Sequence, residues 1–466
     1  MPERPYTYYD FTLSLCPQCL RRIDAKIVFE NDQVFMLKRC PEHGRMKVLI
    51  ATDIPYYKNI RNYNKASEIP LKFNTQTHYG CPYDCGLCPD HEQHSCLSIV
   101  EITDRCNLTC PTCYAMSSPH YGSHRSLEEV ERMLDILVAN EGQPDVVQIS
   151  GGEPTIHPQF FEILDIAKRK PIKHLMVNTN GIRIARDFAF TKQLAGYMPD
   201  FEIYLQFDSF QPEVLLQMRG KDLTDVRIQA LEHLNQLNLS TTLVVNLQQG
   251  VNDQEIGKII EFALQQPCVR GVTFQPVQVA GRNDHFDPQT DRITLTGVRQ
   301  KILEQTPLFQ PNDIIPVPCN PDALAMGYAL KLKGQVFPLT RYIDPAHLLD
   351  NSRNTIVYEQ DTDLHQHLIK IFSTGISVDR VQDNMRQLLC CLPQIQAPGL
   401  TYENLFRIVI MRFIDAYDFD VRSIKKSCVH IVHKDGRIIP FETMNLFYRD
   451  EKEKYLHTLQ AERMKN

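Results

Sequence analysis

The sequence predicts an α/β protein whose centre is a partial (β/α)6 barrel, with a small metal-binding region before it and a mixed domain after it. Two observations carry this prediction: strand-like and helical runs alternate through residues 97–276, and 10 of the 15 cysteines lie within the first 113 of the 466 residues. Strict alternation of strand and helix favours right-handed crossovers and a parallel sheet. We expect the chemistry of such a barrel in the loops that follow the strands.

The central region supplies the elements of this barrel. Strand-like runs cover residues 97–103, 145–150, 174–178, 202–207, 241–247 and 271–275. Helical periodicity marks residues 126–140, 158–169, 186–197, 223–237 and 252–266. Ser126 followed by Glu129 predicts a capping box at the start of the first helix. Six strands are too few for a closed eight-stranded barrel, so we expect a partial one.

Composition and charge are those of an ordinary globular chain. The sequence is 43% hydrophobic and 23% charged, and its net charge of −6 gives no indication of a nucleic-acid partner. No apolar run reaches the roughly 18 residues of a membrane-spanning helix. The first residues, MPERPYTYYDFTLSLCPQC, lack the apolar region of a signal peptide. We therefore expect a cytoplasmic protein, in which closely spaced cysteines favour metal over disulfides.

The chain divides into four predicted segments. Residues 1–75 form a metal-ribbon region, residues 76–96 an auxiliary iron–sulfur segment, residues 97–276 the partial barrel and residues 277–466 a mixed C-terminal domain. We expect the last of these to contribute to the substrate site or to an auxiliary cluster.

Three cysteines follow the first barrel strand with the spacing Cys-x3-Cys-x2-Cys: Cys106, Cys110 and Cys113. A cubane [4Fe-4S] cluster takes four ligands, so three cysteines leave one iron open to a small chelating molecule. A zinc site is the alternative, although zinc knuckles usually show Cys-x2-Cys pairs and a fourth ligand nearby.

The spacing of this loop and its place after the first strand resemble those of radical S-adenosylmethionine (SAM) enzymes. The resemblance implies that SAM occupies the open iron and is cleaved by one electron to methionine and a 5′-deoxyadenosyl radical. It also implies that QISGGEP receives the SAM amino group and that residues 243–257 pack on the adenine. Gln206 and Asp208 end the fourth strand and could reach the ribose or the substrate, or be ordinary strand-end polar groups. The residues assigned to SAM in this way are Gly151, Gly152, Glu153, Tyr114 and Asn252.

A second cysteine group lies upstream, in GCPYDCGLCPDHEQHSC. Its first three members repeat the spacing of the SAM loop, but no strand, helix and Gly-Gly-Glu follow it in register. We predict an auxiliary [4Fe-4S] cluster closed by a fourth thiolate, with a zinc site as the alternative. His91 or His94 could replace a thiolate, although histidines at such positions are more often on the surface. The predicted ligands are Cys81, Cys85, Cys88 and Cys96.

Further upstream, LCPQC and RCPEHG have the spacing of a zinc ribbon, with Cys16, Cys19, Cys40 and His43 as ligands. Zinc is the expected metal, and mononuclear iron in a rubredoxin-like arrangement is the alternative. Cys268 is expected to pack as a small apolar residue. The remaining cysteines could converge into a third cluster: Cys319, Cys390, Cys391 and Cys428.

The segment that joins the two cysteine loops resembles that of archaeal tetraether lipid synthase and of the radical SAM enzyme that methylates 7,8-dihydro-6-hydroxymethylpterin. The resemblance extends to AYDFDVRSIKKSCVHIVHKDGRIIPFETMNLFYR near the C-terminus. It implies radical carbon–carbon bond formation or methyl transfer on a small-molecule or lipid substrate. It also implies an electron donor such as flavodoxin or ferredoxin, and a lipid substrate would bring peripheral membrane contact. Relatives carry an additional cysteine where this chain has Glu442 and Thr443, so a third cluster would need an unusual ligand.

Two other classes of protein are compatible with parts of the sequence. An electron-transfer protein could hold several clusters without chemistry of its own, and a zinc-ribbon protein could act as a binding module. The open iron position and the Gly-Gly-Glu segment favour the enzyme over both.

Overall fold

The computed structural model describes residues 3–332, 335–341, 404–449 and 452–464. Cys390 and Cys391, which the sequence offers as ligands of a third cluster, lie outside these residues. None of the helices that the structure describes combines the length and the apolarity needed to traverse a bilayer.

The N-terminal region is a four-stranded antiparallel sheet in the order β1-β2-β3-β4. Its strands are β1 (Thr7–Leu15), β2 (Arg22–Glu30), β3 (Gln33–Cys40) and β4 (Gly44–Ala51), followed by α1 (Ile54–Asn59). A small separate core includes Ile27, Val34 and Met36. Because so few apolar side chains meet here, a bound metal is the natural source of additional stability.

The barrel strands are β5 (Leu97–Glu101), β7 (Val146–Ser150), β8 (His174–Thr179), β9 (Phe201–Gln206), β10 (Thr241–Leu247) and β11 (Val269–Pro276). Each pairs in parallel with the next, as the alternation predicts. The intervening helices are α2 (Leu127–Glu141), α3 (Phe160–Arg169), α4 (Ile182–Arg186), α5 (Phe188–Ala195), α6 (Pro212–Arg219), α7 (Thr224–Gln236) and α8 (Ile256–Gln265). The capping box of Ser126 and Glu129 is confirmed. A two-residue strand in the cysteine loop, β6 (Thr112–Cys113), pairs with β12 (Arg282–Asn283).

The C-terminal region extends this sheet at both edges. β16 (Leu405–Met411) pairs in parallel with β11, and β17 (Val429–Val432) pairs in parallel with β5. The sheet therefore continues across the expected boundary at residue 277, and its described part has eight parallel strands. The other elements are α9 (Leu295–Gln305), β13 (Ile315–Pro316), β14 (Leu324–Leu332), β15 (Gln335–Pro338), α10 (Val421–Lys425), β18 (Ile438–Pro440), α11 (Phe441–Thr443) and α12 (Lys452–Arg463).

The two faces of the sheet bury different kinds of side chain. The outer face packs on the helices in a wholly apolar core that includes Val147, Ile203 and Val245. The inner face carries apolar residues such as Ile99 and Tyr204 in a second core that extends to the C-terminal region. This face also holds buried polar groups, which are concentrated at the two ends of the barrel.

An ion-pair cluster fills the deep end of the barrel. Both carboxylate oxygens of Glu202 accept from the Arg407 guanidinium at 3.0 Å, and His174 Nε2 lies 3.4 Å from the carboxylate. The Thr242 hydroxyl donates to the same carboxylate. Burial raises the pKa of Glu202, but the charge of Arg407 and the interactions with His174 and Thr242 together hold this pKa well below its usual range. The cluster joins β9 and β10 to β16.

Removing one partner of this cluster should be strongly destabilising. We expect Arg407→Met to lower the free energy of unfolding by about 3–5 kcal/mol, because Glu202 would remain as an uncompensated buried charge. The double variant Glu202→Gln/Arg407→Met should recover most of the loss. Chemical denaturation of the three proteins measures this. Equal stability of the single and double variants would show that the ion pair is not the cause.

Candidate active site and metal centres

Three cysteine side chains stand at the mouth of the barrel, on the loop after β5. Cys106 and Cys110 are buried, Cys113 is half-buried, and all three line a cavity of about 150 Å³. These three sulfur atoms do not all lie within 4.8 Å of one another. In the described residues, two other sets of ligand atoms do, and they are described below. Three thiols on one loop can hold a cubane, in which each cysteine binds a different iron.

Two glycines after β7 let the second loop pack directly on the cysteine loop. The Gly152 N–H donates to the Thr103 carbonyl at 2.8 Å, and the Glu153 N–H donates to the Arg105 carbonyl at 2.9 Å. A Cβ on residue 152 would lie 2.1 Å from the Arg105 carbonyl oxygen, so only glycine fits there. Gly151, Gly152 and Glu153 also line the cavity, and their contact with SAM stays a prediction.

The Glu153 carboxylate connects two loops. It accepts from the Thr155 hydroxyl at 2.6 Å, the Thr179 hydroxyl at 2.8 Å and the Asn180 N–H at 2.8 Å. Burial raises the pKa of this carboxyl group, and these hydrogen bonds oppose the increase. Asn180 also donates to Asn107 Oδ1 at 2.7 Å on the cysteine loop. The loops after β5, β7 and β8 are thus held together around one buried carboxylate.

Arg219, on α6, lines the cavity and was missed in the sequence analysis. Its guanidinium donates to both carboxylate oxygens of Asp208 at 2.7 Å and to Gln206 Oε1 at 2.8 Å. Burial raises the pKa of the Cys110 thiol, and the nearby positive charge of Arg219 opposes that increase. Pro212 at the first helical position and Gly220 after the last one are the signals that predict α6.

Asp208 and Asn252, which the sequence assigns to the site, are not part of the cavity lining. Asp208 is fully buried beneath Arg219 and also lies 3.3 Å from Arg227. Asn252 Nδ2 donates to the carbonyl oxygens of Asp208 at 3.0 Å and Asn246 at 2.8 Å. Both side chains use their polar atoms to hold the loops after β9 and β10, and their predicted contacts with SAM or the substrate stay predictions.

Five successive strands each present one carboxamide side chain to the cavity. Gln206 Nε2 donates to Asn178 Oδ1 at 2.9 Å, and Gln206 Oε1 accepts from Asn246 at 3.2 Å. Gln275 donates to the Tyr204 hydroxyl at 3.1 Å. A carboxamide is neutral and offers both donors and acceptors. The sequence analysis identified only Gln206, because one amide per strand forms no motif. The five residues are Gln148, Asn178, Gln206, Asn246 and Gln275.

Aromatic side chains cover the part of the cavity that the C-terminal region contributes. Phe413 follows β16 and Phe441 begins α11, and their ring centroids are 4.2 Å apart. Tyr114 packs edge-on against Phe441 at 4.9 Å. On its other side, the Arg449 guanidinium lies 5.2 Å from the Tyr114 ring and pairs with Glu101 at 2.5 Å. Tyr114 lines the cavity, and its predicted contact with SAM stays a prediction.

The upstream cysteine loop is enclosed by the ribbon and the C-terminal helices. Arg22 donates to the Cys81 carbonyl at 3.1 Å, and the Cys85 N–H donates to the Tyr448 hydroxyl at 3.1 Å. Burial raises the pKa of the Cys85 thiol well above its usual value. The sulfur atoms of Cys81, Cys85 and Cys88, like those of the cysteine loop after β5, do not all lie within 4.8 Å of one another, as the ligands of a single ion would. Their arrangement is compatible with the predicted cubane.

The fourth predicted ligand of that cluster, Cys96, lies beside two other cysteines. Its sulfur atom is within 4.8 Å of those of Cys319 and Cys428, which are 3.4 Å from each other, and all three side chains are buried. The reason is topological: Cys96 immediately precedes β5, Cys428 immediately precedes β17, and these strands are parallel neighbours, with Leu97 paired with Val429. His94 Nε2, expected at the surface, is buried 3.4 Å from the Cys96 sulfur.

The ribbon ligands converge as the sequence predicts. His43 Nδ1 is 3.4 Å from the sulfur atoms of both Cys16 and Cys40, and the Cys19 and Cys40 sulfur atoms are 3.8 Å apart. A tetrahedral zinc ion with Zn–S bonds of about 2.3 Å places its sulfur ligands about 3.8 Å apart. The four ligand side chains, Cys16, Cys19, Cys40 and His43, therefore fit one metal ion.

A cysteine loop of this geometry at the mouth of a partial barrel defines the class of the protein, which is a radical SAM enzyme. The radical SAM superfamily profile matches residues 100–263, and an HMPTM N-terminal zinc ribbon domain profile matches residues 8–52. The class implies a [4Fe-4S] cluster with SAM as cofactors.

The chain belongs to the family of 7,8-dihydro-6-hydroxymethylpterin dimethyltransferase. It is 32% identical to that enzyme of Methanocaldococcus jannaschii over 95% of this chain and 94% of the relative. A more distant relative is GTP 3′,8-cyclase of Nautilia profundicola, 26% identical over 44% of this chain and 63% of the relative. Among solved structures, SuiB of Streptococcus suis bound to S-adenosylmethionine aligns at 15% identity and a TM-score of 0.37, over 45% of this chain and 47% of SuiB.

Gly152→Ala should displace the cysteine loop. The added Cβ meets the backbone of Arg105, which has no rotamer to adopt, so we expect the iron of one cluster and SAM binding to be lost together. Iron analysis after anaerobic reconstitution measures this. Gly196→Ala is the control, because its Cβ would come no closer than 3.1 Å to the Gln193 carbonyl oxygen. Full iron content in Gly152→Ala would mean that the loop tolerates the shift.

Cys16→Ser should remove the ribbon metal and expose the first strands to proteolysis, because the binding energy of a structural metal is folding energy. Elemental analysis and limited proteolysis are the measurements. Cys268→Ala, at a buried thiol outside both converging ligand sets, should leave the metal content and the cleavage pattern unchanged. Unchanged zinc and mononuclear iron in Cys16→Ser would contradict the assignment.

Proposed function

We propose that the protein transfers methyl groups by radical SAM chemistry to a carbon atom of a reduced pterin, such as 7,8-dihydro-6-hydroxymethylpterin. The observation that carries the proposal is the compact cavity beneath the cysteine loop, to which five successive barrel strands each present one carboxamide. The substrate in the name of the Methanocaldococcus jannaschii relative, which matches nearly the whole chain, supports it.

The residues of the site have distinct proposed roles. Cys106, Cys110 and Cys113 hold the cluster that, when bound, supplies the electron for SAM cleavage. Gly151 and Gly152 keep the cysteine loop against the barrel, and Glu153 meets the amino group of SAM while joining the loops. Arg219 stabilises the thiolate form of Cys110. Tyr114 bounds the space for the adenine.

A lipid substrate is less well supported. A saturated chain would bury the carboxamide of Gln148 without offering it hydrogen bonds, and burying an unpaired amide is costly. A pterin presents ring nitrogens, an amino group and a carbonyl group, which can pair with this amide. Cytoplasmic localisation and peripheral membrane contact stay predictions.

The upstream loop of Cys81, Cys85 and Cys88 is proposed to hold an auxiliary cluster that exchanges electrons with the substrate site. A donor such as flavodoxin or ferredoxin would supply the enzyme. Cys96, Cys319 and Cys428 form a third thiol set, whose spacing within 4.8 Å suits a single metal ion better than a cubane.

The test is anaerobic incubation of the reconstituted enzyme with SAM, a reductant and 7,8-dihydro-6-hydroxymethylpterin. We expect 5′-deoxyadenosine and a pterin heavier by one or two methyl groups, detected by mass spectrometry. The variant with Cys106, Cys110 and Cys113 replaced by Ala should make neither. A pterin recovered unchanged in the presence of 5′-deoxyadenosine formation would refute the proposed substrate.

The variant with Cys81, Cys85 and Cys88 replaced by Ala provides the matched control. It should retain some SAM cleavage, because its open cluster is intact, but lose most pterin methylation if the auxiliary cluster carries an electron. Electron paramagnetic resonance with and without SAM separates the two loops. If this variant loses the SAM-dependent spectral change while the other retains it, the two assignments are reversed.

A further inference from the structure

Among the five carboxamides that the barrel strands present to the cavity, one has no partner in the described part of the chain. Gln148, on β7, is 4% exposed and lines the cavity, yet no described side chain or backbone group hydrogen-bonds its amide. Its neighbours across the sheet are Ile99 on β5 and Met176 on β8, both apolar. Buried carboxamides are almost always paired, so an unpaired one that faces a cavity points to a ligand.

The other four strand carboxamides are already engaged. Gln206 is fixed by Arg219, Asn178 and Asn246, and Gln275 uses its amide on Tyr204. Gln148 is therefore the member of the set whose donor and acceptor are both available. Gln148 precedes Ser150 by two residues on β7 and therefore lies further from the mouth of the barrel.

The rings of Phe413 and Phe441 form an apolar wall of the same cavity. Phe441 is held between Phe413 at 4.2 Å and Tyr114 at 4.9 Å, so its ring has little freedom. Aromatic faces of this kind bind flat rings by stacking. The cavity thus combines one wall that can cover the face of a ring with one amide that can pair with its edge.

We propose that Gln148 and Phe441 are the specificity-determining residues of the substrate site, with Gln148 pairing with the polar edge of a flat, neutral nitrogen heterocycle and Phe441 covering its face. The inference rests on the proposed function, since it places the substrate in this cavity. A carboxamide can donate and accept side by side, as it does when it recognises adenine in nucleic acids. The amino-oxo edge of a pterin has the complementary arrangement.

The charges around the cavity agree with a neutral ligand. Arg219 is paired in bidentate fashion with Asp208, and Arg449 is paired with Glu101. Neither cation is left to bind an anionic group, so recognition falls to hydrogen bonding and stacking.

The experiment measures the Kd of 6-hydroxymethylpterin by its fluorescence, with the anaerobically reconstituted enzyme and saturating SAM, before any reductant is added. Gln148→Met and Gln148→Glu should each raise the Kd roughly 10- to 100-fold, because the heterocycle loses its paired edge. Phe441→Leu should raise it roughly 2- to 10-fold through loss of stacking. The Kd of SAM and the iron content should be unchanged in all three.

Two exposed positions offer matched controls: Gln229→Leu on α7 and Phe188→Leu on α5 should leave the pterin Kd unchanged. Two Gln148 variants are used so that one protein that fails to fold does not leave the idea untested. If the variants weaken SAM binding instead of pterin binding, these residues serve the adenine and the inference is overturned.

Guanine, which has the same amino-oxo edge, separates this inference from the proposed function. Binding and methylation of the pterin with a wild-type Kd in the Gln148 and Phe441 variants would overturn the inference and leave the function intact. Binding of guanine but not of the pterin, still dependent on Gln148, would support the inference and refute the proposed substrate. Binding of neither compound by the wild-type enzyme would overturn the inference.

Discussion

The packing of Gly152 on the cysteine loop is the constraint on which the active site depends. The three thiols can face the cavity only if the loop that carries them is held from behind, and the hold consists of backbone hydrogen bonds from Gly152 to Thr103 and from Glu153 to Arg105. No side chain fits between these backbones. The Glu153 carboxylate also accepts a hydrogen bond from the Thr179 hydroxyl, so the loop after β8 is held in the same way.

A second restraint comes from the opposite side of the barrel. Asp208 receives Arg219, which reaches Gln206, and Gln206 is bonded to Asn178 and Asn246. The loops after five consecutive strands are thus connected through two buried carboxylates. A buried carboxylate with several donors is rigid, because each lost hydrogen bond would expose an unpaired charge to an apolar interior.

Much of the barrel could be predicted from sequence because its signals are local. Strand and helix periods, the capping box at Ser126 and the three-cysteine spacing each lie within about one turn of a helix or one loop. The partnership of Cys96 with Cys428 had no such signal, because β5 and β17 are separated by more than 300 residues and meet only in the folded sheet. The grouping of Cys96 with the nearer cysteines followed sequence distance and stays a prediction, whereas the parallel pairing adds Cys319 and Cys428 as neighbours.

The carboxamides escaped prediction for a related reason. Each is a single polar residue at an inward position of an otherwise apolar strand, and one polar residue in a strand is no motif. Asp208 and Asn252 illustrate the converse: they stand in loops where a ligand contact is expected, but their atoms are used by the protein itself. Which polar groups remain available is decided by their neighbours, and these neighbours come from other strands.

The pairing of the cations around the cavity agrees with the chemistry of the class. A carbon-centred radical forms and reacts without building up charge, so charged groups near the substrate would add desolvation costs without stabilising the reacting atoms. The protein pairs cations with carboxylates in and around the barrel, as Arg219 with Asp208, Arg449 with Glu101 and Arg407 with Glu202. What remains for the cavity is to hold two reactants at a fixed separation, since positioning alone can contribute much of the rate of such a step. Neutral amides on rigid strands are suited to that task, because they fix orientation without perturbing the redox properties of a nearby cluster as strongly as a charge would.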